Sequence, residues 1–341
     1  DGTFDYYFVR LSLKDVRFLY VFELHEREKI YYVSEDGVSE SYDFKLAYYN
    51  SFQLPYINRS DVMPEVEWMK SAVFYEIFID RFFRGDIQKE DAYINLKWGD
   101  LPHPKSFAGG DLAGIRQKLG YLKGLGVTAL YLTPVFCSVS NHKYDIYDYY
   151  EIDPQFGTKE ELRGLVKEAH ALGIRIVMDA VFNHCSERFP YFQDVLRNGK
   201  DSPYFDWFII RGDKVDAEKR NYECFAACTY MPKLNLSNEQ AKAYFIDVAL
   251  YWIREYGIDG WRLDVSDEIS HDFWHDFRKA VKAYDRDIVI IGENWHDARP
   301  YLCGDEYDGI MNYAVTKALL DFLAKKTLDA KQFAERMSAL Y

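Results

Sequence analysis

Over the first 54 residues, apolar and polar positions alternate with a period of two. The segments DYYFVRLSL (5–13), RFLYVFELHE (17–26) and KIYYVSEDG (29–37) are aromatic and β-branched, with polar breaks between them. That is the pattern of half-buried strands, and it predicts a small antiparallel β-domain over residues 1–54. Residues 55–68 (PYINRSDVMPEVEW) carry two prolines and no clean periodicity, and read as a linker. From residue 69 the pattern changes to apolar runs too dense for a one-sided strand, alternating with amphipathic stretches. LAGIRQKLGYLKGL, ELRGLVKEAHAL and AYFIDVALYWIREY are each followed by a glycine (Gly126, Gly173, Gly257) and then at once by a strand-like run. A glycine there can take the left-handed helix cap, and strands that are apolar throughout are buried on both faces. Thr158 with Glu161, and Ser237 with Gln240, have the spacing of capping boxes. Strand runs begin near residues 74, 127, 174, 258, 288 and 309. Repeated helix–glycine–strand units predict a parallel α/β domain over 69–341, either a doubly wound sheet or a (β/α)8 TIM barrel.

The polar residues discriminate between these two. Asp179, Asp264 and Glu293 stand at the carboxyl ends of three consecutive strand runs. In a barrel those ends share one mouth, where active sites of that fold lie, whereas an open sheet binds ligands at its switch point. Arg262 and Asp264 are two apart on one strand and so point to one face. A guanidinium beside Asp264 favours its ionised form, as a nucleophile requires. Glu293 has no neighbouring cation in sequence and is placed to keep a proton. Such a pair about 5 Å apart suits a retaining glycosidase. The bland alternatives are that a strand-end acid caps the helix that follows, or that Arg262 forms a structural ion pair with Asp179 and Asp264 and no chemistry.

Composition narrows the partners. With 29 Tyr, 24 Phe and 7 Trp the chain is 18% aromatic. Most of these rings fill a core, but a minority lining a cleft would stack on sugar C–H faces. A formal charge of −13 disfavours a nucleic-acid partner. No apolar run approaches the roughly 20 residues that cross a bilayer. The five cysteines are sparse and odd in number, and Cys224 with Cys228 lacks the second pair of a zinc site. Reduced thiols are expected, which points to the cytoplasm. The first residue is Asp1, so the start is expected to be trimmed.

The motifs DAVFNH (179–184), GWRLDV (260–265), GENWHD (292–297), VTALYLTPVF (127–136) and MPKLN (231–235) resemble those of the alpha-amylase family. The likeness is strongest to its cyclomaltodextrinase, neopullulanase and maltogenic amylase group, and HKYD (142–145), YYEIDPQFGT (149–158) and DGIMNY (308–313) match as well. The resemblance implies a TIM barrel acting on α-1,4-glucosidic bonds of cyclodextrins, maltooligosaccharides, pullulan or starch. It implies Asp264 as nucleophile, Glu293 as general acid/base and Arg262 orienting Asp264. Tyr144 and His184 would line the subsite of the reacting sugar, with Asp179 and Asn183 supporting the site and His142, Glu268 and His296 at its rim. Residues 185–235 would be a protruding loop domain. A homodimer through the β-domain and α-glucan ligands are the implied partners. A non-catalytic relative, using the barrel for interaction or carbohydrate binding, is the alternative.

Two departures stand out. DVSDE (264–268) replaces the group's common DVANE and puts Asp267 beside the acceptor side. The family's second His-Asp motif, on its seventh strand, has no counterpart among the six strand runs, and eight strands close a barrel. The expectation is therefore a fragment of a longer enzyme, nearly inactive alone unless a partner chain supplies the rest. Finally, RGDIQKEDAY (84–93) and FAGGDL (107–112) are oxygen-rich. Asp86, Asp91, Asp111 and the Gly109 carbonyl would suit a structural calcium ion. Arg84 falls where relatives place a ligand, and a solvated charged loop is the competing reading.

Overall fold

The computed structural model describes residues 9–13, 17–54, 65–85 and 88–340. It divides into two compact units, residues 1–64 and 65–341.

In the first unit, Phe22–Glu26, Lys29–Ser34 and Gly37–Ser39 form an antiparallel meander. Phe18–Tyr20 pairs antiparallel with Phe52–Leu54. The segment expected as one strand over 17–26 is thus two, divided at Val21, each joining a different sheet. Residues 5–8 of the first expected strand lie outside the described residues, and Val9–Leu13 hold no strand. Of the expected linker, residues 55–64 lie outside the description as well. Glu67–Ser71 is a 3-10 turn of the second unit, anchored where the Trp68 indole donates to the Asp287 carbonyl at 2.8 Å.

Among the described residues, the main sheet of the second unit has six strands: β1 (Phe74–Ile77), β2 (Ala129–Leu132), β3 (Arg175–Ala180), β4 (Gly260–Leu263), β5 (Val289–Asn294) and β6 (Gly309–Asn312). Each pairs parallel with the next in chain order. A doubly wound sheet must reverse its order, and this one never does, so the architecture is that of the TIM barrel. β2, β4 and β5 are buried at every position, which is why they read as unbroken apolar runs. At Gly260 a Cβ would stand 2.3 Å from the Val289 side chain, so only glycine lets β4 and β5 approach.

The punctuation between elements follows local chemistry. Thr158 and Glu161 form the capping box of helix Lys159–Ala171. The box expected at Ser237 is replaced by Asn238, whose side chain accepts from Gln240 and Ala241 N–H, because asparagine one residue later caps without help. Gly126, Gly173 and Gly257 have φ of 85°, 70° and 68°, the left-handed region expected of them. After β2 a hairpin (Phe136–Ser138 with Ile146–Ile152) leans over the strand ends. After β3, residues 185–235 contain the helix Pro190–Asn198 and short antiparallel bridges, among them His184 with Lys233 and Cys224 with Pro232. None of the five cysteines is paired. Among the described residues no helix is long and apolar enough to cross a membrane.

Candidate functional site

The carboxyl ends of β3, β4 and β5 bring three acids around one guanidinium. Asp179 on β3 is paired in register with Arg262 on β4. Arg262 Nη1 donates to Asp179 at 3.0 Å and to Asp264 Oδ1 at 2.8 Å, and its Nη2 lies 2.8 Å from Glu293 Oε2. All four side chains are under 10% exposed. This corrects the expectation that Arg262 serves Asp264 alone. Side chains on neighbouring parallel strands meet as readily as those two apart on one strand, and the planar fork of arginine can hold two carboxylates at once.

The consequence for protonation is also different from the sequence reading. Burial, reinforced by the charges of Asp179 and Glu293, pushes the Asp264 carboxyl well above its ordinary range against the pull of Arg262. Asp179 is raised too, chiefly by burial, while Arg262 and the hydroxyls of Tyr131 and Tyr144 oppose the rise. One cation offsets the burial of these neighbouring carboxyls only in part, which is the physical cause of both rises.

Glu293 is held by two neutral donors besides Arg262. Val265 N–H donates to Oε2 at 3.0 Å and the Tyr313 hydroxyl to Oε1 at 2.9 Å. Val265 reaches that position with φ 46° and ψ 44°. A β-branched residue in the left-handed region is strained, and strain of this sort is kept only where surrounding contacts enforce it.

Asp264 and Glu293 line a cleft of about 730 Å³ together with Tyr144, His184, Glu268, Trp295 and His296. Tyr144 donates to Asp179 at 3.0 Å and stacks on His142 with ring centroids 5.8 Å apart. His184 stacks on Phe225 at 4.6 Å, and its Nε2 is buried with no hydrogen-bond partner. That nitrogen is available to a ligand hydroxyl. Asn183 lies behind the wall, its amide 3.3 Å from Glu268 Oε2. Lys233 closes this corner by bonding Asn183 and, at 3.0 Å, the Glu268 carbonyl. His296 faces the cleft from a turn in which its N–H donates to Asn294 at 3.0 Å. Of the ten catalytic and sugar-site residues expected from sequence, eight line this cleft, while Asp179 and Asn183 reach it only through hydrogen bonds to Tyr144, Arg262 and Glu268.

His184 also yields a pH prediction. Burial, helped by Lys233 and His142, lowers its pKa to about 3. The unfolded imidazole, near 6.5, binds the proton more tightly than the folded one. Its contribution is thus complete above about pH 6.5 and is lost as pH falls towards 3, at up to about 1.4 kcal/mol per pH unit. Subtracting the urea-unfolding profile of His184→Asn from that of the parent should isolate this slope. A flat difference between pH 6.5 and 4 would contradict it.

Among the described residues, the expected calcium ligands are not brought together as a cation site. Asp86 lies outside the described residues, and Asp91 pairs with Arg84 at 3.1 Å on the surface. Asp111 is fully buried as the cap of helix Leu112–Gln117, accepting from Gly114 N–H at 2.7 Å and Gly85 N–H at 2.9 Å. The remaining oxygens are taken by Lys89. Its ammonium donates to Asp111 Oδ2 at 2.7 Å, to the Gly109 carbonyl at 2.7 Å and to the Gln155 carbonyl at 2.9 Å. A tethered ammonium satisfies these oxygens, so the residues do not fit an added calcium ion.

Residues at or beside the cleft that the sequence reading did not single out include Tyr313, Lys233, Trp295 and Phe225. Tyr313 follows β6 directly, and a polar residue after a sixth strand end could have been suspected. Lys233 lay inside the MPKLN motif. Trp295 stacks on Tyr313 at 4.0 Å from within GENWHD. Phe225 comes from a long loop with no periodic signal.

Residues 76–341 match the family described as alpha amylase, catalytic domain, and residues 1–58 match alpha amylase, N-terminal ig-like domain. The chain is 48% identical to a cyclomaltodextrinase of Geobacillus thermopakistaniensis over 99% of its own length and 57% of that protein's. It is 45% identical to neopullulanase 2 of Thermoactinomyces vulgaris, over 98% of this chain and 57% of that one. A solved cyclomaltodextrinase structure superposes with a TM-score of 0.81 at 42% identity, covering 96% of this chain and 56% of the other. The chain thus spans somewhat over half the length of these relatives. With its parallel barrel strands and the acids at their carboxyl ends, the chain belongs to the alpha-amylase family of glycoside hydrolases.

Proposed function

We propose that the protein is a retaining hydrolase of α-1,4-glucosidic bonds in cyclodextrins, maltooligosaccharides, pullulan or starch. The observation that supports it most is the pair of carboxyls, Asp264 and Glu293, held on the two terminal nitrogens of Arg262 at 2.8 Å each. Two acids sharing one guanidinium lie close together, as a covalent double displacement needs (about 5–5.5 Å), rather than at the wider spacing that admits water between acid and base. Asp264 attacks the anomeric carbon as Glu293 gives its proton to the leaving oxygen. Glu293 then takes a proton from the water that releases the sugar, restoring the configuration. Asp179, holding Arg262 and the Tyr144 hydroxyl, keeps the donors aimed. Tyr144 offers a ring face and His184 a free nitrogen to the sugar in the reacting subsite, while Asn183, His142, Glu268 and His296 shape the rim.

The two acids and water suffice for the chemistry, and the charge of the Lys89 ammonium fills the place expected of calcium. Unpaired thiols agree with a cytoplasmic setting. The proposed division is a β-domain over 1–54, a link over 55–68 and the barrel over 69–341, with 185–235 walling the cleft and the β-domain mediating a homodimer. Incubating the polypeptide, over the full length of its relatives, with maltotriose or γ-cyclodextrin tests the reading. Glucose or maltose should appear in the α configuration. β-Configured products would rule out retention, and no release from any α-glucan would end the proposal.

A further inference from the structure

Outside the cleft, helix His271–Tyr284 and the loop between β5 and β6 bring together His275, Asp305 and Glu306. We propose that these three residues form a binding site for a divalent transition metal of the zinc class. His275 Nε2 lies 3.2 Å from Asp305 Oδ2 and 3.3 Å from Glu306 Oε1. Ligand atoms bound at about 2.0–2.1 Å to a tetrahedral zinc stand about 3.3 Å apart, so two edges of the coordination shell are already set. All three ligand atoms fall within 4.8 Å of one another.

Hydrogen bonding alone accounts poorly for this arrangement. One imidazole nitrogen carries at most one proton, yet His275 Nε2 faces two carboxylates. Glu306 is only 2% exposed, and its Oε1 already engages His271 Nδ1 at 2.6 Å while its Oε2 is buried with no partner. A buried carboxylate oxygen without a donor is costly, and a metal ion held by both oxygens of Glu306 would remove that cost. His271 stands one helical turn from His275 and would orient the Glu306 ligand, as histidine–carboxylate pairs do behind metal sites. One imidazole and two carboxylates match zinc's mixed N/O preference better than the all-oxygen shell of calcium or magnesium.

The site's position gives it a consequence. The His271 ring stacks on Tyr301 at 4.5 Å, and Tyr301 on Tyr307 at 5.1 Å. The Tyr307 hydroxyl donates to the Ser266 carbonyl at 3.2 Å, and the Ser266 hydroxyl to the Glu293 carbonyl at 2.6 Å. A metal here pins the helix and the loop that back the segment between Asp264 and Glu268.

The test is zinc chloride alone, titrated calorimetrically into chelator-treated, desalted protein. One zinc per chain is expected, with a rise in the thermal midpoint. His275 and Asp305 are 42% and 58% exposed, so His275→Ala and Asp305→Asn should fold normally, as circular dichroism would verify. Each should weaken binding by about 100-fold or more and abolish the thermal shift, and His271→Ala should weaken it by about 10–100-fold. His25→Ala, at a separate exposed His–Glu pair, should change nothing. Absence of zinc binding in the parent would overturn the proposal. So would unchanged affinity in either His275→Ala or Asp305→Asn, or calcium binding in preference to zinc.

Discussion

Replacing Asp264 by Asn is expected to lower turnover of maltotriose by on the order of 10⁴–10⁶-fold, because the amide cannot form the glycosyl ester. Glu293→Gln should be nearly as inactive on that substrate, so the natural reaction alone does not separate the two roles. A glucosyl donor whose leaving group departs without protonation does. With it, Glu293→Gln should keep a rapid first step and accumulate the covalent intermediate, whereas Asp264→Asn should remain inert. The opposite pattern would exchange the two assignments. Since burial and Asp179 both disfavour a charge at Asp264, the Asn variant should also melt no lower than its parent. Losing function without losing stability is the signature of a residue kept for chemistry.

Arg262→Met should have the second largest effect, this time on the fold. It leaves Asp179, Asp264 and Glu293 buried without their cation. Removing one side of a buried ion cluster costs about 3–5 kcal/mol. The pH dependence follows from the raised carboxyls. A group whose folded pKa lies above its unfolded value, near 4, contributes stability that is complete below that value and lost as pH rises. Without Arg262 the rise is larger, so the deficit should be greatest at pH 7 and should shrink towards pH 4. Urea midpoints at the two pH values measure it. An equal deficit at both would mean that the arginine acts by packing over Tyr131, whose ring centroid lies 5.6 Å away, rather than by charge.

Periodicity and punctuation carried the barrel. β2, β4 and β5 announce themselves because strands covered on both faces are apolar at every position, and left-handed glycines mark where helices stop. Asp179, Asp264 and Glu293 were visible for the complementary reason: a charge at the end of an apolar run has no packing role to explain it. The same local signals failed where polar neighbours compete. Serine and asparagine both serve as helix caps, and the choice of Asn238 over Ser237 rests on backbone geometry that the spacing does not encode.

The electrostatics of the site were out of reach for a different reason. Which carboxylates Arg262 serves depends on the register of β3, β4 and β5, and that register brings in Asp179 and Glu293 as well as Asp264. Lys89 meets Asp111 across 22 positions, and Tyr313 meets Glu293 across 20. Pattern along a chain reports which face a side chain takes and what it can do chemically. Charge interactions fall off with distance through a medium whose dielectric varies from place to place. Their strength and sign were therefore settled only when packing brought separated segments within a few ångströms of one another.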